Sequence, residues 1–127
     1  MARTDYNVTV KEVSKELSHK QRVQLMDTTS AVRLDKATQD GEGVLINPEF
    51  WAVLAIHNEK ASDKDYENYI IVDKDGTRYV TGSKAFWSTF NDIMEEMAGS
   101  DEDFSIRVYR APSKNYSGKD FITCEII

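Results

Sequence analysis

The chain has 127 residues, of which 40% are hydrophobic and 30% charged, so it is long enough for one domain with a core and too apolar for a disordered chain. It contains no apolar run of about 20 residues that could span a membrane, and its first residues lack the apolar core of a signal peptide, which predicts a cytoplasmic protein. The single cysteine, Cys124, excludes an internal disulfide and a zinc site built on cysteines, and its place in an alternating segment predicts a small buried side chain.

The net charge of −6 argues against nucleic acid as a partner, but the charges are unevenly distributed. Residues 1–50 hold 7 basic and 8 acidic side chains, residues 51–103 hold 5 and 12, and residues 104–127 hold 4 and 2. The acidic excess therefore lies in the middle of the chain. Because the local field matters more than the net charge to a bound polyanion, the basic C-terminal segment weakens the objection.

The first elements predicted in chain order are two helices. Val10, Val13 and Leu17 lie at helical spacing with charged residues between them, which predicts a helix within residues 8–17. Ser18, followed three residues later by Gln21, has the pattern of a capping box and predicts a second helix.

The next segment leads to a break in the chain. Residues 27–38 fit either a short helix or a strand, and the polar, glycine-containing residues 39–43 predict a flexible connection. We therefore expect residues 1–43 to form a partly helical N-terminal arm, not an independent domain, that packs on a main domain of residues 44–127.

Two strands and a tight turn are predicted next. Trp51–Ile56 is a nearly continuous apolar run, typical of a strand buried on both faces, and residues 66–72 form a second strand. The sequence Asp73–Gly76 predicts a type I turn with its glycine in the left-handed conformation. This turn pairs Ile70 with Val80 on the next strand.

The register of this hairpin assigns side chains to two faces. Ile70, Val72 and Val80 share the predicted core face, while Tyr69 and Tyr79 lie on the other face. The two tyrosines form either a second surface that packs against other parts of the protein or a platform on which bases stack. The packing interpretation is slightly favoured.

A single amphipathic helix is predicted over residues 84–98, with Ser83 as its N-cap and Gly99 at its C′ position. Its aromatic and methionine side chains recur at helical spacing, with Phe90 at the centre of the stripe. This pattern is typical of core packing and not of a cofactor site.

The last 24 residues are predicted to form two strands joined by a long, basic, tyrosine-containing loop at 111–119. In the first strand Ile106 and Val108 alternate with Arg107 and Tyr109, so one face is core and the other offers a guanidinium group and an aromatic ring. Interleaved cations and aromatic rings suit single-stranded nucleic acid, which needs charge for its phosphates and flat surfaces for its bases.

The order of the main domain is strand, strand, strand, helix, strand, strand, which is the element order of the OB-fold. We therefore predict a mainly β protein with helices, built on an OB-like five-stranded barrel. Ligands of this fold lie across strands 2 and 3 and between two loops, here residues 58–65 and 111–119.

The segments YVTGS (79–83), PSKNYSGKDFITCEI (112–126), AIHNEK (55–60) and DYENYIIVD (65–73) resemble a group of small single-stranded-DNA-binding proteins encoded by bacteriophages and mobile elements. The resemblance implies DNA binding with little sequence preference in replication or recombination. Many bacterial single-strand binders end in an acidic tail that recruits partners, whereas this sequence ends in Glu125-Ile126-Ile127, so recruitment through a tail is not expected.

The expected ligand is single-stranded DNA, with replication or recombination proteins as candidate partners and no membrane. Self-association is expected because one OB domain covers only about 4–16 nucleotides. The residues predicted to contact DNA, tyrosines by stacking and basic side chains at phosphates, are Tyr69, Arg78, Tyr79, Arg107, Tyr109, Arg110, Lys114, Tyr116 and Lys119.

A catalytic role is not favoured. The two histidines, His19 and His57, lie in different segments, and the sequence has no glycine-rich phosphate loop or nucleophile elbow. No cofactor or metal is predicted. The alternative function is a phage-encoded protein-interaction module of the same fold that docks on a host protein through its acidic middle region.

Overall fold

The computed structural model describes residues 6–39, 41–60, 62, 64–112 and 120–127. The described residues form a mainly β structure with strands in two sheets, accompanied by helices. In chain order the elements are β1 (Tyr6–Val13), α1 (His19–Met26), β2 (Val32–Arg33), α2 (Leu34–Ala37), β3 (Val44–Ile46), β4 (Pro48–Asn58), β5 (Asp65–Asp73), β6 (Arg78–Thr81), α3 (Lys84–Met97), β7 (Ile106–Pro112) and β8 (Asp120–Ile126).

Contacts divide the chain into two compact units, each made from two stretches of sequence. Unit 1 contains the described residues through Val32 together with Glu49–Gly82, and unit 2 contains those of Arg33–Pro48 and Ser83–Ile127. The first 43 residues are thus shared between the two units.

Unit 1 is built on a five-stranded sheet with the strand order β1-β4-β5-β6-β2. Its core includes Leu25 of α1 together with Leu54, Ile70 and Val80 from three neighbouring strands. The predicted hairpin between β5 and β6 is confirmed, with Ile70 paired to Val80. Its turn is closed by hydrogen bonds of 2.8 Å, and Gly76 has a φ of +93° that a residue with a Cβ adopts only with strain.

The helix predicted within residues 8–17 is wrong, because residues 8–13 belong to strand β1, which pairs with β4, and residues 14–17 are not helical. The pairing contains a β-bulge between Val10 and Glu12, which adds one residue to β1. Val8, Val10 and Val13 consequently all pack against the core of unit 1. A bulged strand thus produced the three-residue spacing that resembles one face of a helix.

The start of α1 is confirmed in detail. The Ser18 side chain accepts a hydrogen bond from the Gln21 N–H, and the Gln21 side chain accepts one from the Ser18 N–H, which completes the capping box. The ambiguous segment at 27–38 contains both alternatives, because β2 is followed directly by the short helix α2.

Unit 2 contains a three-stranded antiparallel sheet with the order β3-β7-β8. Helix α3 begins as predicted, with the Ser83 hydroxyl accepting from the Phe86 N–H at 3.2 Å, and it packs against β8. Phe86 and Phe90 are fully buried on this helix. The alternation of the last hairpin is also confirmed, because Ile106 and Val108 are fully buried.

The fold class is therefore mainly β with helices, as predicted. The described residues form two sheets of five and three strands and not one closed barrel, so the OB-like barrel stays a prediction. No helix in the described parts of the chain is long and apolar enough to cross a membrane.

Candidate nucleic-acid interface

One face of the sheet in unit 2 carries exposed and partly exposed side chains, and we call it the outer face. It is defined by register, because paired residues point to the same side of a sheet. Arg107 pairs with Leu45 on one side and Glu125 on the other, and Tyr109 pairs with Thr123. Alternation along β8 adds Phe121. The outer face thus consists of Leu45, Arg107, Tyr109, Phe121, Thr123 and Glu125.

The apolar side chains at the two margins of the outer face are well exposed. Leu45 is 58% exposed and Phe121 is 42% exposed. Phe121 is the diagonal neighbour of Tyr109 across the β7–β8 pair, a relation that places Cα atoms about 7–8 Å apart. Two aromatic rings therefore lie on one accessible surface of a rigid sheet.

Arg107 is held in place at the centre of the outer face. Its guanidinium carbon lies 4.6 Å from the centroid of the Tyr109 ring, which is a cation–π contact. Its Nη1 donates to the Glu125 carboxylate at 3.2 Å, and its Nη2 donates to the Glu42 carbonyl at 3.4 Å. Three separate partners therefore fix the plane of the guanidinium group.

At Gly43 the backbone passes close to Arg107 and Tyr109 of strand β7. A Cβ at residue 43 would lie 2.8 Å from the Val108 carbonyl oxygen, 3.2 Å from Arg107 Nε and 3.3 Å from Tyr109 Cβ. Its φ of +84° also favours glycine. The position therefore admits only glycine without displacement of strand β7, and the close approach lets the neighbouring Glu42 carbonyl reach Arg107.

The outer face has the chemistry that an unpaired base and its phosphate require. Flat aromatic rings and guanidinium planes stack on bases, and an arginine supplies charge and several N–H donors to a phosphate oxygen. The ion pair with Glu125 competes for Arg107, but both side chains are partly exposed, at 36% and 50%, and such a pair is worth about 0–1 kcal/mol. A phosphate can therefore displace the carboxylate at small cost.

The two tyrosines predicted from the β5–β6 hairpin belong to unit 1, whereas Arg107 and Tyr109 belong to unit 2. Tyr69 is only 5% exposed, and its hydroxyl donates to Glu67 at 3.4 Å, so its ring offers no face to a base. Tyr79 is half-buried, and burial raises the pKa of its hydroxyl. The buried neighbours Ile71 and Thr81 on the same face favour the packing interpretation.

Two of the predicted phosphate contacts have structural partners instead. Arg78 donates to the carbonyls of Gln24 and Asp27 and to the Ser30 hydroxyl, and so holds the end of α1 against β6. Arg110 lies on the inner side of its sheet because it alternates with Arg107 and Tyr109.

Arg110 joins α2 to both strands of the last hairpin. Its Nε donates to Thr38 Oγ1 at 3.2 Å, its Nη1 to Asp120 at 2.9 Å and its Nη2 to the Asp35 carbonyl at 2.5 Å. Arg110 is therefore left out of the interface, and Arg78 is left out because it belongs to unit 1 and not to the sheet that carries the outer face. Lys114, Tyr116 and Lys119 lie outside the described residues.

Sequence reasoning missed Phe121, Leu45 and Gly43. The alternation of β8 places Phe121 opposite the buried Ile122 and Cys124, and this pattern was visible in the sequence. Its relation to Tyr109 was not visible, because a long loop does not fix the register of a hairpin. The pairing of β3 with β7 joins residues about 60 positions apart, and no local pattern indicates such a contact.

Two further titratable groups, Cys124 and His57, have structural surroundings that explain their shifted pKa values. Burial raises the pKa of Cys124 to about 11, which fits the predicted small buried side chain. His57 lies between two carboxylates, with Nδ1 2.7 Å from Asp65 and Nε2 2.7 Å from Glu59. These hydrogen bonds raise the pKa of His57, because both ring nitrogens can donate only in the imidazolium form.

Comparisons with known proteins found no match: no protein-family model fits the chain, and neither the curated proteins nor the solved structures searched contain a similar one. Among the residues that the structure describes, no group of three His, Cys, Asp or Glu side chains could hold a metal ion.

Proposed function

We propose that this protein binds single-stranded DNA with little sequence preference and without catalysis, and that the outer face of unit 2 is its contact surface. The observation that carries the proposal is the Arg107 guanidinium fixed over the Tyr109 ring, with Phe121 beside it on the same exposed face. Stacking on such groups tolerates any base, because every base has a π face.

The proposal assigns separate tasks to the residues of the outer face. Tyr109 and Phe121 stack bases, and Arg107 contacts a phosphate or extends the stack with its guanidinium plane. Lys114, Tyr116 and Lys119, all predicted from the sequence, would add charge and an aromatic ring to the DNA contacts.

The OB-like barrel and the biological setting belong to the same proposal. The described elements from β4 onward follow the order strand, strand, strand, helix, strand, strand, which is that of an OB-fold. The resemblance of four segments to phage and mobile-element single-strand binders supports a role in replication or recombination, with self-association to cover longer DNA.

The second candidate is a protein-interaction module, and the exposure of Leu45 and Phe121 favours it. Exposed apolar side chains at the margins of the outer face also suit a protein partner. The acidic middle region, including the exposed Glu95 and Glu96 of α3, would then contact a host protein. This candidate predicts no affinity for poly-dT, whereas the DNA-binding proposal requires it.

The test is a fluorescence titration with poly-dT at several salt concentrations, with duplex DNA as the control ligand. Each neutralised phosphate should contribute about 0.7 to the slope of log K against log salt. Arg107→Gln should flatten the slope by about one such contribution. Lys11→Gln is the matched control, because it also removes a cation from an exposed ion pair, here with Glu67 in unit 1.

Poly-dT binding with a slope near zero in the parent protein would refute the proposed electrostatic contacts. Equal effects of Arg107→Gln and Lys11→Gln would show that only net charge matters and would remove the outer face from the proposal.

A further inference from the structure

Unit 1 contains a cleft that the proposed DNA-binding face does not use. Its volume is about 590 Å³, within the range of about 300–1,000 Å³ that is typical of small-molecule sites. Every residue of its lining belongs to unit 1. The apolar part of the lining consists of Leu25, Phe50 and Val72, which are buried members of the core of that unit.

The charged part of the lining is richer in cations than in carboxylates, although the protein as a whole is acidic. Lys15, Lys74 and Arg78 line the cleft together with Glu49 and Asp73. Lys15 pairs with Glu49 at 3.0 Å and also lies 5.1 Å from the centroid of the Phe50 ring. The lysine is thus held above an apolar surface.

Arg78 is the cation of the lining whose guanidinium group is held by several hydrogen bonds. Its hydrogen-bond partners among the described residues are the carbonyls of Gln24 and Asp27 and the hydroxyl of Ser30, all of which are neutral acceptors. These bonds fix the guanidinium group, and the nearby Asp27 carboxylate offsets only part of its charge. A fixed cation beside an apolar surface favours a ligand that carries an anion on a flat or apolar body.

We propose that this cleft binds a small organic phosphate of the nucleoside monophosphate type. The phosphate would lie beside Arg78 and Lys15, and the body would occupy the rest of the cleft. The side-chain amides of Gln21 and Gln24, also in the lining, can donate to and accept from polar edges of the body. This site goes beyond the proposed DNA binding, because its residues and those of the outer face belong to different units.

The experiment is a ¹H–¹⁵N NMR titration of the full chain with three probes: deoxythymidine monophosphate, thymidine and inorganic phosphate. Deoxythymidine monophosphate should shift the Gly76 amide and the side-chain amides of the two glutamines, and it should bind more tightly than either fragment. Lys15→Gln should weaken this binding about threefold, the size expected for one partly exposed charge contact. Arg78→Gln is not the chosen variant because Arg78 also holds α1.

Lys11→Gln is again the matched control, because Lys11 also forms an ion pair with a glutamate of unit 1 and does not line the cleft. Three results would overturn the inference: no shift of the lining amides up to about 10 mM nucleotide, equal affinity for thymidine and the nucleotide, or equal effects of the two lysine variants. Poly-dT titrations of the same variants distinguish the two proposals, since Lys15→Gln should leave DNA affinity unchanged.

Discussion

Tyr109→Ala removes an aromatic ring from the outer face and leaves the charge of every neighbouring side chain in place. If the ring stacks on a base, the variant should lose about 1–3 kcal/mol of binding free energy, which is a weakening of about five- to 150-fold. Tyr109→Ala should lower the free energy of unfolding by less than it lowers the free energy of DNA binding. The half-buried ring contacts Arg107 on an accessible face, and an exposed cation–π contact is worth about 0.5–1 kcal/mol.

The folded state should survive this loss, because domains have unfolding free energies of about 5–15 kcal/mol. The assay is therefore a pair of measurements on each variant: a poly-dT titration and a urea or thermal melt. Tyr109→Phe is the conservative control and should bind nearly as well as the parent, because stacking needs the ring and not the hydroxyl.

Tyr79→Ala is the matched control for ring removal elsewhere. Tyr79 is half-buried on β6 in unit 1, so its loss should lower the melting temperature and leave the affinity of each folded molecule unchanged. Tyr109 does not stack on a base if Tyr109→Ala binds poly-dT as tightly as the parent, or if Tyr79→Ala weakens binding by the same factor.

Three further predictions concern stability. Phe90→Ala should lower the unfolding free energy by about 3–5 kcal/mol in urea titrations, because its ring is fully buried and stacks on Trp87; a normal melt with lost DNA binding would instead place Phe90 at a functional surface. Gly43→Ala should destabilise more than Gly41→Ala, since both have a φ of +84° but only a Cβ at residue 43 meets other atoms within 4 Å; equal losses of about 1–2 kcal/mol would indicate backbone strain alone. The raised pKa of His57 means that its contribution to stability is complete below its ordinary pKa of 6.5 and is lost as pH rises through the folded-state pKa. His57→Gln should therefore remove a fall in melting temperature above about pH 6.5 that His19→Gln leaves in place, and a parent protein without that fall would contradict the assignment.

Much of the local structure could be predicted because its causes are close together in the sequence. The turn at Asp73–Gly76 set the register of β5 and β6, since its residue types permit one turn geometry. The caps at Ser18 and Ser83 positioned α1 and α3, because a hydroxyl three residues from an N–H acts within one helical turn. The alternation of β7 separated its buried face from Arg107 and Tyr109 for the same local reason.

The N-terminal segment shows where local patterns fail. Val10, Val13 and Leu17 fit a helix, yet β1 gains hydrogen bonds from β4, and its bulge returns Val13 to the core side. Whether this spacing belongs to a helix or to a bulged strand depends on the presence of a partner strand. That partner, β4, lies about 40 residues further along the chain. The sequence around a bulge does not contain this information.

The candidate site divides in the same way. Sequence pattern alone identified Arg107 and Tyr109 as the polar face of a strand, whereas the contacts of Arg78 and Arg110 depended on carbonyl groups distant in the sequence. Arg78 and Arg110 donate hydrogen bonds to backbone carbonyls of the α1 and α2 segments, and a sequence does not show where the carbonyl oxygens of other segments will lie. Tertiary structure also decided that Tyr69 is buried and that Phe121 accompanies Tyr109, because burial and cross-strand neighbours are properties of packed sheets and not of single strands.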